Sequence, residues 1–342
     1  MSETTQKLQT ETIVQDILSS IEREREREII ARRYGLFDRK ETLEQIGELL
    51  GITRERVRQL EKAVITKLRQ TGVELPHIAD SEAILLAAIK RAGDTARVSA
   101  LSAELTAENS RTDQSRLAFI TELCPAISVV GEDDNFYQAA GTAAVHDTAA
   151  IKKEVANIVS GIQKVASPVQ TKDLATTTGL ASTEYATALA SISKQLATLN
   201  GRWGLVKWPT VNPKNIRDKI YVILSENGKH MHFNEIAEAI KESDFKRKDV
   251  TTQAIHNELI KDKRFVLIGR GIYALKEWGY KQGTVSDIIT EVLKKAGEPL
   301  HRDEIVKRVL KSRFVKETTI LLNLQSKSQF KRVAKATYEL SE

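Results

Sequence analysis

Residues 54–62 combine side chains that can read DNA bases with the spacing of a single helix face. Arg and Gln carry paired hydrogen-bonding groups that match the edges of guanine and adenine, and Glu can accept from the amino group of cytosine. Apolar residues at i, i+3, i+7 and i+11 predict the buried side of this helix: Val57, Leu60, Val64 and Leu68. The polar residues opposite are predicted to read bases (Arg54, Glu55, Arg58 and Gln59) or to contact a phosphate (Lys62).

Two helices joined by a tight turn are predicted to hold these side chains. Thr42 and Gln45 have capping-box spacing, Gly51 supplies the positive-φ residue where the first helix ends, and Thr53 caps the second. The buried side of the first helix is predicted from apolar residues at helical period: Leu43, Ile46, Leu49 and Leu50. A recognition helix presents its N-terminal half to the major groove. An ordinary solvated helix could carry similar charges, but the capped turn and the flanking sequence favour DNA recognition.

The flanking sequence resembles a known family. LSSIEREREREIIARRYGLF (residues 18–37), followed by TLEQIG and TRERVRQLE, resembles region 4 of sigma-70-type sigma factors over about residues 12–70. That module binds the promoter −35 element and the flap of RNA polymerase. The resemblance therefore implies two partners for this chain, double-stranded DNA and the core of RNA polymerase.

The resemblance also implies roles for single residues. Arg54, Glu55 and Gln59 match positions that contact bases, and Thr42, Arg56 and Arg58 match positions that contact phosphates or support the base contacts. Lys67 and Arg69 match positions that meet upstream activators. The polymerase contact is expected from the helices before the turn, at Leu18, Ile21, Ile29 and Leu36.

A complete sigma factor also needs a helical region, rich in aromatic and basic residues, that holds the melted −10 strand by stacking. This chain is 5% aromatic, and no other part of it shows that pattern. We therefore expect that the chain does not initiate transcription by itself.

Composition limits the remaining possibilities. With 342 residues and 41% hydrophobic content, the chain is expected to form several domains with real cores. It has no apolar run of about eighteen residues and no signal-peptide pattern, so we expect a soluble, cytoplasmic, nucleoid-associated protein without membrane contact. The single cysteine, Cys124, excludes an internal disulfide and a cysteine-based zinc site, and is predicted to be a buried apolar residue.

Sequence motifs of catalysis are absent. The chain contains no GxxxxGK[ST], no GxGxxG after a strand, no HExxH and no GxSxG. His230, His232 and His256 lack a third ligand at metal spacing and are interpreted as structural or surface residues. We expect a protein that is not an enzyme and has no cofactor, bound metal or small-molecule substrate.

The net charge of +6 is unevenly distributed. Residues 71–150 carry 5 basic and 12 acidic side chains, whereas residues 281–342 carry 13 basic and 8 acidic ones. Phosphate contacts are therefore predicted toward the C-terminal end, and protein contacts for residues 71–150.

An internal repeat organises the rest of the chain. GDTARVSAL (residues 93–101), ASPVQTKDL (166–174), GKHMHFNEI (228–236) and GEPLHRDEI (297–305) share one register, and each lies between an amphipathic helix and a pattern of two helices and a hairpin. The predicted fold class is mainly α: a helix-turn-helix followed by a tandem array of winged helices, each with three helices and a β-hairpin wing. Four unrelated small α+β units are the alternative. The predicted domains cover residues 12–70, 79–141, 148–210, 214–280 and 283–342.

Residues 214–280 resemble a second family, the HARE-type helix-turn-helix, most specifically in the ending GIYALKEWG. The resemblance implies a winged helix that serves as a nucleic-acid or polymerase-associated adaptor. Independently, Lys246, Arg247 and Lys248 precede the predicted third helix and Arg270 lies in the wing, so these four are predicted phosphate contacts. An ordinary solvated, charged surface would show the same pattern of residues and is the alternative interpretation.

These observations predict a bacterial DNA-binding transcription factor that acts in initiation or its regulation through a −35-like element, RNA polymerase, or both. Two alternatives remain open. One is a multivalent nucleoid or scaffold protein that binds DNA loosely, and the other is the targeting subunit of a DNA-modification or restriction system.

Overall fold

A computed structural model describes residues 7–245, 249–281 and 283–341 of the chain. It is 56% helical, with sixteen α-helices and twelve short strands among the described residues. The prediction of a mainly α protein is therefore confirmed. The chain divides into two compact parts, Met1–Lys207 and Trp208–Glu342, which we call the N-terminal body and the C-terminal body. No helix in the described ranges is long and apolar enough to cross a lipid bilayer.

The N-terminal body begins with four helices, which form the turn segment and its supports. They are α1 (Thr10–Ser19), α2 (Glu24–Tyr34), α3 (Leu43–Leu50) and α4 (Arg54–Thr71).

Two further units complete the N-terminal body. Unit one (residues 78–142) contains α5 (Ile78–Arg91), β1 (Thr95–Arg97), α6 (Val98–Leu105), α7 (Arg111–Leu123), β2 (Ile127–Val130) and β3 (Ala139–Thr142). Unit two (residues 148–205) contains α8 (Thr148–Val165), β4 (Val169–Gln170), α9 (Leu174–Thr178), α10 (Thr183–Ser191), β5 (Leu196–Leu199) and β6 (Arg202–Leu205).

The C-terminal body contains two units with the same order of elements. Unit three (residues 216–275) contains α11 (Ile216–Asn227), β7 (Met231–His232), α12 (Phe233–Glu242), α13 (Thr252–Lys261), β8 (Phe265–Gly269) and β9 (Ile272–Leu275). Unit four (residues 285–340) contains α14 (Val285–Ala296), β10 (Leu300–His301), α15 (Arg302–Leu310), α16 (Glu317–Ser326), β11 (Phe330–Ala334) and β12 (Thr337–Leu340). Short 3₁₀ turns lie at Gly72–Glu74, Thr171–Asp173 and Lys276–Trp278.

Each unit has a three-stranded antiparallel sheet in which its last strand lies between the other two. The hairpins were expected from the sequence, but the first strand of each unit was not. That strand is two or three residues long, too short to give a pattern of alternating apolar residues, and it exists because it pairs with the last strand, as Met231 does with Tyr273. Long-range pairing of this kind is not visible in a local sequence window.

One hydrophobic core joins α1, α2 and α4 to unit one. Ile30 of α2 and Leu68 of α4 pack in the same cluster as Leu117 and Phe119 of α7. The Tyr34 ring meets the Phe119 ring edge-on, with 5.1 Å between centroids. Since buried apolar contacts are the main source of folding free energy, these helices and unit one form one structural unit.

The acidic hairpin of unit one is docked on unit two. Tyr137 donates its backbone N–H to the carbonyl of Ile192 at 2.9 Å, and Lys194 donates its own to the carbonyl of Asn135 at 2.7 Å. The Lys194 Nζ lies 2.8 Å from the Glu132 Oε1. The hairpin therefore contacts another unit of the same chain.

In the C-terminal body, the loop between α15 and α16 lies along the edge of unit three. The backbone N–H of Phe314 donates to the carbonyl of Ile268 in β8 at 3.1 Å. The Phe314 ring also lies 4.4 Å from the ring of His230, centroid to centroid. This loop takes up hydrogen-bonding positions on the outer strand of the unit-three hairpin.

Candidate nucleic-acid interface

The turn between α3 and α4 has the capped geometry expected from the sequence. The Thr42 Oγ1 accepts from the backbone N–H of Gln45 at 3.2 Å, and the Gln45 Oε1 accepts from the backbone N–H of Thr42 at 2.9 Å. Gly51 ends α3 with a φ of +62°. The Thr53 Oγ1 accepts from the backbone N–H of Arg56 at 3.2 Å. The predicted capping box, positive-φ glycine and N-cap are all confirmed.

A second glycine in this segment escaped the sequence analysis. A Cβ placed on Gly47, inside α3, would lie 2.7 Å from the carbonyl oxygen of Ile52. Ile52 lies in the turn between α3 and α4, so α3 and the turn approach each other too closely for any side chain at position 47. Glycine within a helix costs about 1 kcal/mol relative to alanine. A glycine inside the predicted helix could therefore have indicated, from the sequence, that a side chain has no room there.

The underside of the turn is a small separate core. Ile29, Ile46 and Val57 are almost fully buried together, with Leu60 packed at their edge. Leu49, which was predicted to be buried, is 55% exposed. Helical period alone assigned it to the apolar face, but in the structure Leu43 and Leu50 pack against this core and Leu49 does not.

The exposed side of α4 carries all the predicted base-reading residues. Arg58 donates two hydrogen bonds to the Glu55 carboxylate, from Nε at 2.8 Å and from Nη2 at 2.6 Å. Gln59 donates its Nε2 to the same carboxylate at 3.3 Å. These hydrogen bonds, foremost those from Arg58, hold the pKa of the Glu55 carboxyl below its usual range. Glu55 therefore organises its two neighbours into a planar, charged network on the surface.

The remaining polar residues of the segment are exposed around this network. The Arg56 Nη1 lies 3.4 Å from the Gln59 Oε1. Thr42 accepts through its hydroxyl oxygen in the cap, which leaves the hydroxyl proton free to donate to a phosphate. Arg54 and Lys62 are exposed, and within the described residues neither side chain is held by an ion pair. The structure thus links Glu55, Arg56, Arg58 and Gln59 through side-chain contacts, and it leaves Thr42, Arg54 and Lys62 exposed.

The predicted phosphate contacts of unit three are only partly described. Lys246, Arg247 and Lys248 lie outside the described residues. Arg270 is exposed at the turn between β8 and β9.

The four apolar residues predicted to contact the polymerase are largely buried. Leu18, Ile21, Ile29 and Leu36 are 0–7% exposed. Three of them belong to the core shared with unit one, and Ile29 belongs to the core under the turn. Their helical pattern indicated an apolar face correctly, but this chain covers most of that face itself, largely with α7, and leaves Ile21 at the edge of an open groove.

The predicted activator contacts lie at the end of α4. The Arg69 Nη2 is 2.6 Å from the Glu122 Oε1 of α7, and the Lys67 Nζ is 3.9 Å from the Glu22 Oε1. Arg69 is therefore engaged by unit one, whereas Lys67 remains largely exposed.

A groove of about 360 Å³ remains open beside α4. It runs between the turn that joins α1 to α2 and the second half of α4. Its main apolar lining comes from Ile21, Ala63, Val64 and Leu68, with charged residues at its rim: Glu22, Arg23, Glu26 and Lys67.

Comparison with known proteins identifies part of this segment. Residues 23–70 match the family "Sigma-70, region 4". The chain is 54% identical over 46 residues to RNA polymerase sigma factor SigA1 of Synechococcus elongatus, which covers 13% of this chain and 12% of that protein. It is 54% identical over 48 residues to RNA polymerase sigma factor RpoD of Helicobacter pylori, covering 14% and 7%. With SigA of a Bacillus species the identity is 44% over 57 residues, covering 16% and 15%.

The resemblance to sigma-70 region 4 is therefore confirmed for residues 23–70. The matched segment contains α2, α3 and nearly all of α4, and with them every predicted base-reading residue. The chain spans no more than 15% of the length of these relatives.

Proposed function

We propose that this protein is a DNA-binding transcription factor whose α3 and α4 read a −35-like promoter element. The observation that supports this most is the exposed network of Glu55, Arg58 and Gln59 on a capped second helix, within the segment similar to sigma-70 region 4. In this proposal Arg54, Glu55, Arg58 and Gln59 contact bases. Thr42, Arg56 and Lys62 contact the phosphates that set the position of the helix.

We also propose that RNA polymerase is a partner, through a surface that shares Ile21 with the one first expected. The four apolar residues first expected are largely buried, and the groove along the second half of α4 is an accessible surface with an apolar lining. Its apolar floor and charged rim suit a protein element that inserts one or two apolar side chains.

We further infer that units one to four are winged helices that act as adaptors. Each has three helices, and its last two strands form a hairpin that is completed by a short strand before the second helix. We propose a non-enzymatic role in the cytoplasm, at the nucleoid. The absence of catalytic motifs from the sequence supports the non-enzymatic role.

Selection of preferred sequences from random duplex DNA tests the base-reading proposal. Gln59→Ala should lower the ratio of selected-site to random-site affinity by about 5- to 150-fold, since one bidentate base contact is worth about 1–3 kcal/mol. Gln70→Ala, the same change three turns along the same helix, should leave the ratio unchanged. If no sequence is enriched, or both variants behave alike, α4 does not read bases and the loose-binding nucleoid protein becomes the better account.

Co-purification with core RNA polymerase tests the second partner. Ala63→Arg places a long charged side chain in the groove and should reduce recovery of the polymerase. Ala92→Arg, at an exposed position just after α5, is the matched control and should not. Equal recovery with both variants would exclude the groove as the polymerase contact.

A further inference from the structure

We propose that α16 and the β11–β12 hairpin of unit four form a second contact with duplex DNA, made through phosphates. This contact is additional to the α4 interface of the proposed function and does not depend on it. The relevant surface, which we call the unit-four hairpin surface, comprises residues 318–338.

The charge of residues 318–338 is of one sign, between Glu317 at the start of α16 and Glu339 in β12. Residues 318–338 contain no Asp or Glu and carry four cationic side chains: Lys327, Lys331, Arg332 and Lys335. All four are exposed, and among the described residues none of them forms an ion pair. Glu339 lies opposite Lys331 in the hairpin register, yet no ion pair joins them. The Arg332 Nε donates to the carbonyl of Ala334 at 3.2 Å, but a neutral carbonyl does not cancel its charge. Cations without an ion-pair partner keep most of their attraction for phosphate.

Three of these cations, Lys331, Arg332 and Lys335, lie in the hairpin, and Lys327 lies at the end of α16. β11 is an edge strand of its sheet, and each of its residues after Phe330 is exposed. The hairpin is fixed at its base, because the Gln329 Nε2 donates to the Ser286 Oγ and to the Thr290 Oγ1 of α14, both at 2.9 Å. The exposed uncharged polar residues of this stretch include several that commonly donate to phosphate oxygens: Thr318, Thr319, Gln325, Ser326 and Ser328. Two apolar residues, Leu322 and Val333, are exposed in the same stretch.

The other three hairpins differ from this one. In unit one, the Lys152 Nζ lies 3.2 Å from the Asp133 Oδ2, and further contacts from unit two cover the hairpin. In unit three, the outer strand accepts hydrogen bonds from Phe314 and Arg313 of unit four. The hairpin of unit two contains one cation, Arg202. The hairpin of unit four is therefore both basic and accessible.

The chemistry of the surface favours duplex over single-stranded nucleic acid. Proteins that hold single strands use exposed aromatic rings on which unpaired bases stack. The two aromatic residues in this stretch, Phe330 and Tyr338, are buried in the core of unit four. Without a stacking surface, the available interactions are with the phosphates of a paired backbone.

The salt dependence of binding by the full chain tests this inference. With all four cations changed to Ala (K327A, K331A, R332A, K335A), the slope of log Kobs against log salt for random-sequence duplex should become shallower by up to about 3.6, since each lost phosphate contact removes about 0.9. The matched control removes four cations of the same body that already have an ion-pair partner: K281A, K295A, R302A and R308A. It should leave the slope nearly unchanged, because Glu291, Asp303 and Glu304 already neutralise these side chains.

Two comparisons separate this inference from the proposed function. Gln59→Ala removes no charge, so it should change sequence preference without changing the slope, whereas the unit-four variant should do the reverse. A slope that is the same in the unit-four variant as in the wild type overturns the inference, whatever Gln59→Ala does. Binding of single strands as tightly as duplex, if the four substitutions abolish it, overturns the assignment to duplex DNA.

Discussion

At the scale of single residues, Glu55 determines how the base-reading side chains are presented. It accepts from both Arg58 and Gln59, so it fixes two side chains that could otherwise adopt many rotamers. Ordering side chains before binding reduces the entropy lost on binding. In the proposed function, the negative charge of Glu55 would also repel any phosphate that is not correctly placed, and this repulsion would add to selectivity.

This dual role gives a prediction with two opposite readouts. Glu55→Ala should tighten binding to random duplex, because it removes an anion and releases Arg58, while it lowers the preference for the selected site. Both quantities can be measured by titration of labelled duplexes. Glu74→Ala removes the same charge from the exposed 3₁₀ turn after α4 and serves as the control. Weaker binding of both duplexes by Glu55→Ala would contradict the role given to this carboxylate.

Cys124 provides a second residue-level prediction. Its thiol is buried at the end of α7, and burial raises its pKa to about 12. Because the thiolate is the reactive form, the folded protein at pH 8 should react with a thiol reagent at least about a thousandfold more slowly than the denatured chain. The rate of absorbance change with Ellman's reagent measures this. Rapid modification of the native protein would show that the core around α7 opens readily.

At the scale of elements, two glycines set the angle between α3 and α4 for different reasons. Gly51 has a left-handed φ, but a Cβ there would meet no atom within 4 Å. Gly47 has an ordinary helical conformation, but a Cβ there would meet the backbone of Ile52. Gly51 is needed because the backbone there has a left-handed φ. Gly47 is needed because a side chain there would have no space.

We therefore expect different costs for the two alanine substitutions. Gly51→Ala should lower the free energy of unfolding by about 1–2 kcal/mol, the usual cost of a left-handed conformation for a residue with a Cβ. Gly47→Ala should in addition displace the turn, and so reduce binding to the selected duplex out of proportion to its effect on stability. Denaturant unfolding and duplex titration of both variants provide the comparison. Equal losses of affinity at equal stability would argue against a steric role for Gly47.

The elements that the sequence predicted well depend on nearest neighbours along the chain. The capping box, the N-cap Thr53 and the glycine at the end of α3 each involve residues no more than a few positions apart. The apolar face at Leu18, Ile21 and Leu36 was also recognised, but its partner was not, because α7 lies some eighty residues later. The groove along α4 was missed for the same reason, since it exists only where the α1–α2 turn meets α4.

At the scale of the whole molecule, the shared core makes the recognition helix dependent on unit one. α4 packs through Leu68 into the same cluster as Phe119, which is fully buried in α7. Since a cluster of this kind folds cooperatively, loss of packing in α7 should be felt in α4.

Phe119→Ala should lower the stability of unit one by about 3–5 kcal/mol and increase amide hydrogen exchange in α1 and α4 as well as in α7. Hydrogen exchange followed by mass spectrometry would resolve these segments. Ile305→Ala, in the core of unit four, is the control and should leave exchange in α4 unchanged. Protection of α4 that survives Phe119→Ala would mean that the turn segment folds independently of unit one.

The shared core also fixes the direction of unit one relative to α4. A recognition helix on a flexible linker can meet a site while the rest of its protein lies anywhere around the duplex, but α4 cannot turn without breaking the cluster that contains Leu68 and Phe119. A duplex seated on α4 would therefore always have units one and two on the same side of the site. Reversing the site in a promoter would point those units the opposite way, so its orientation, and not only its presence, would carry information.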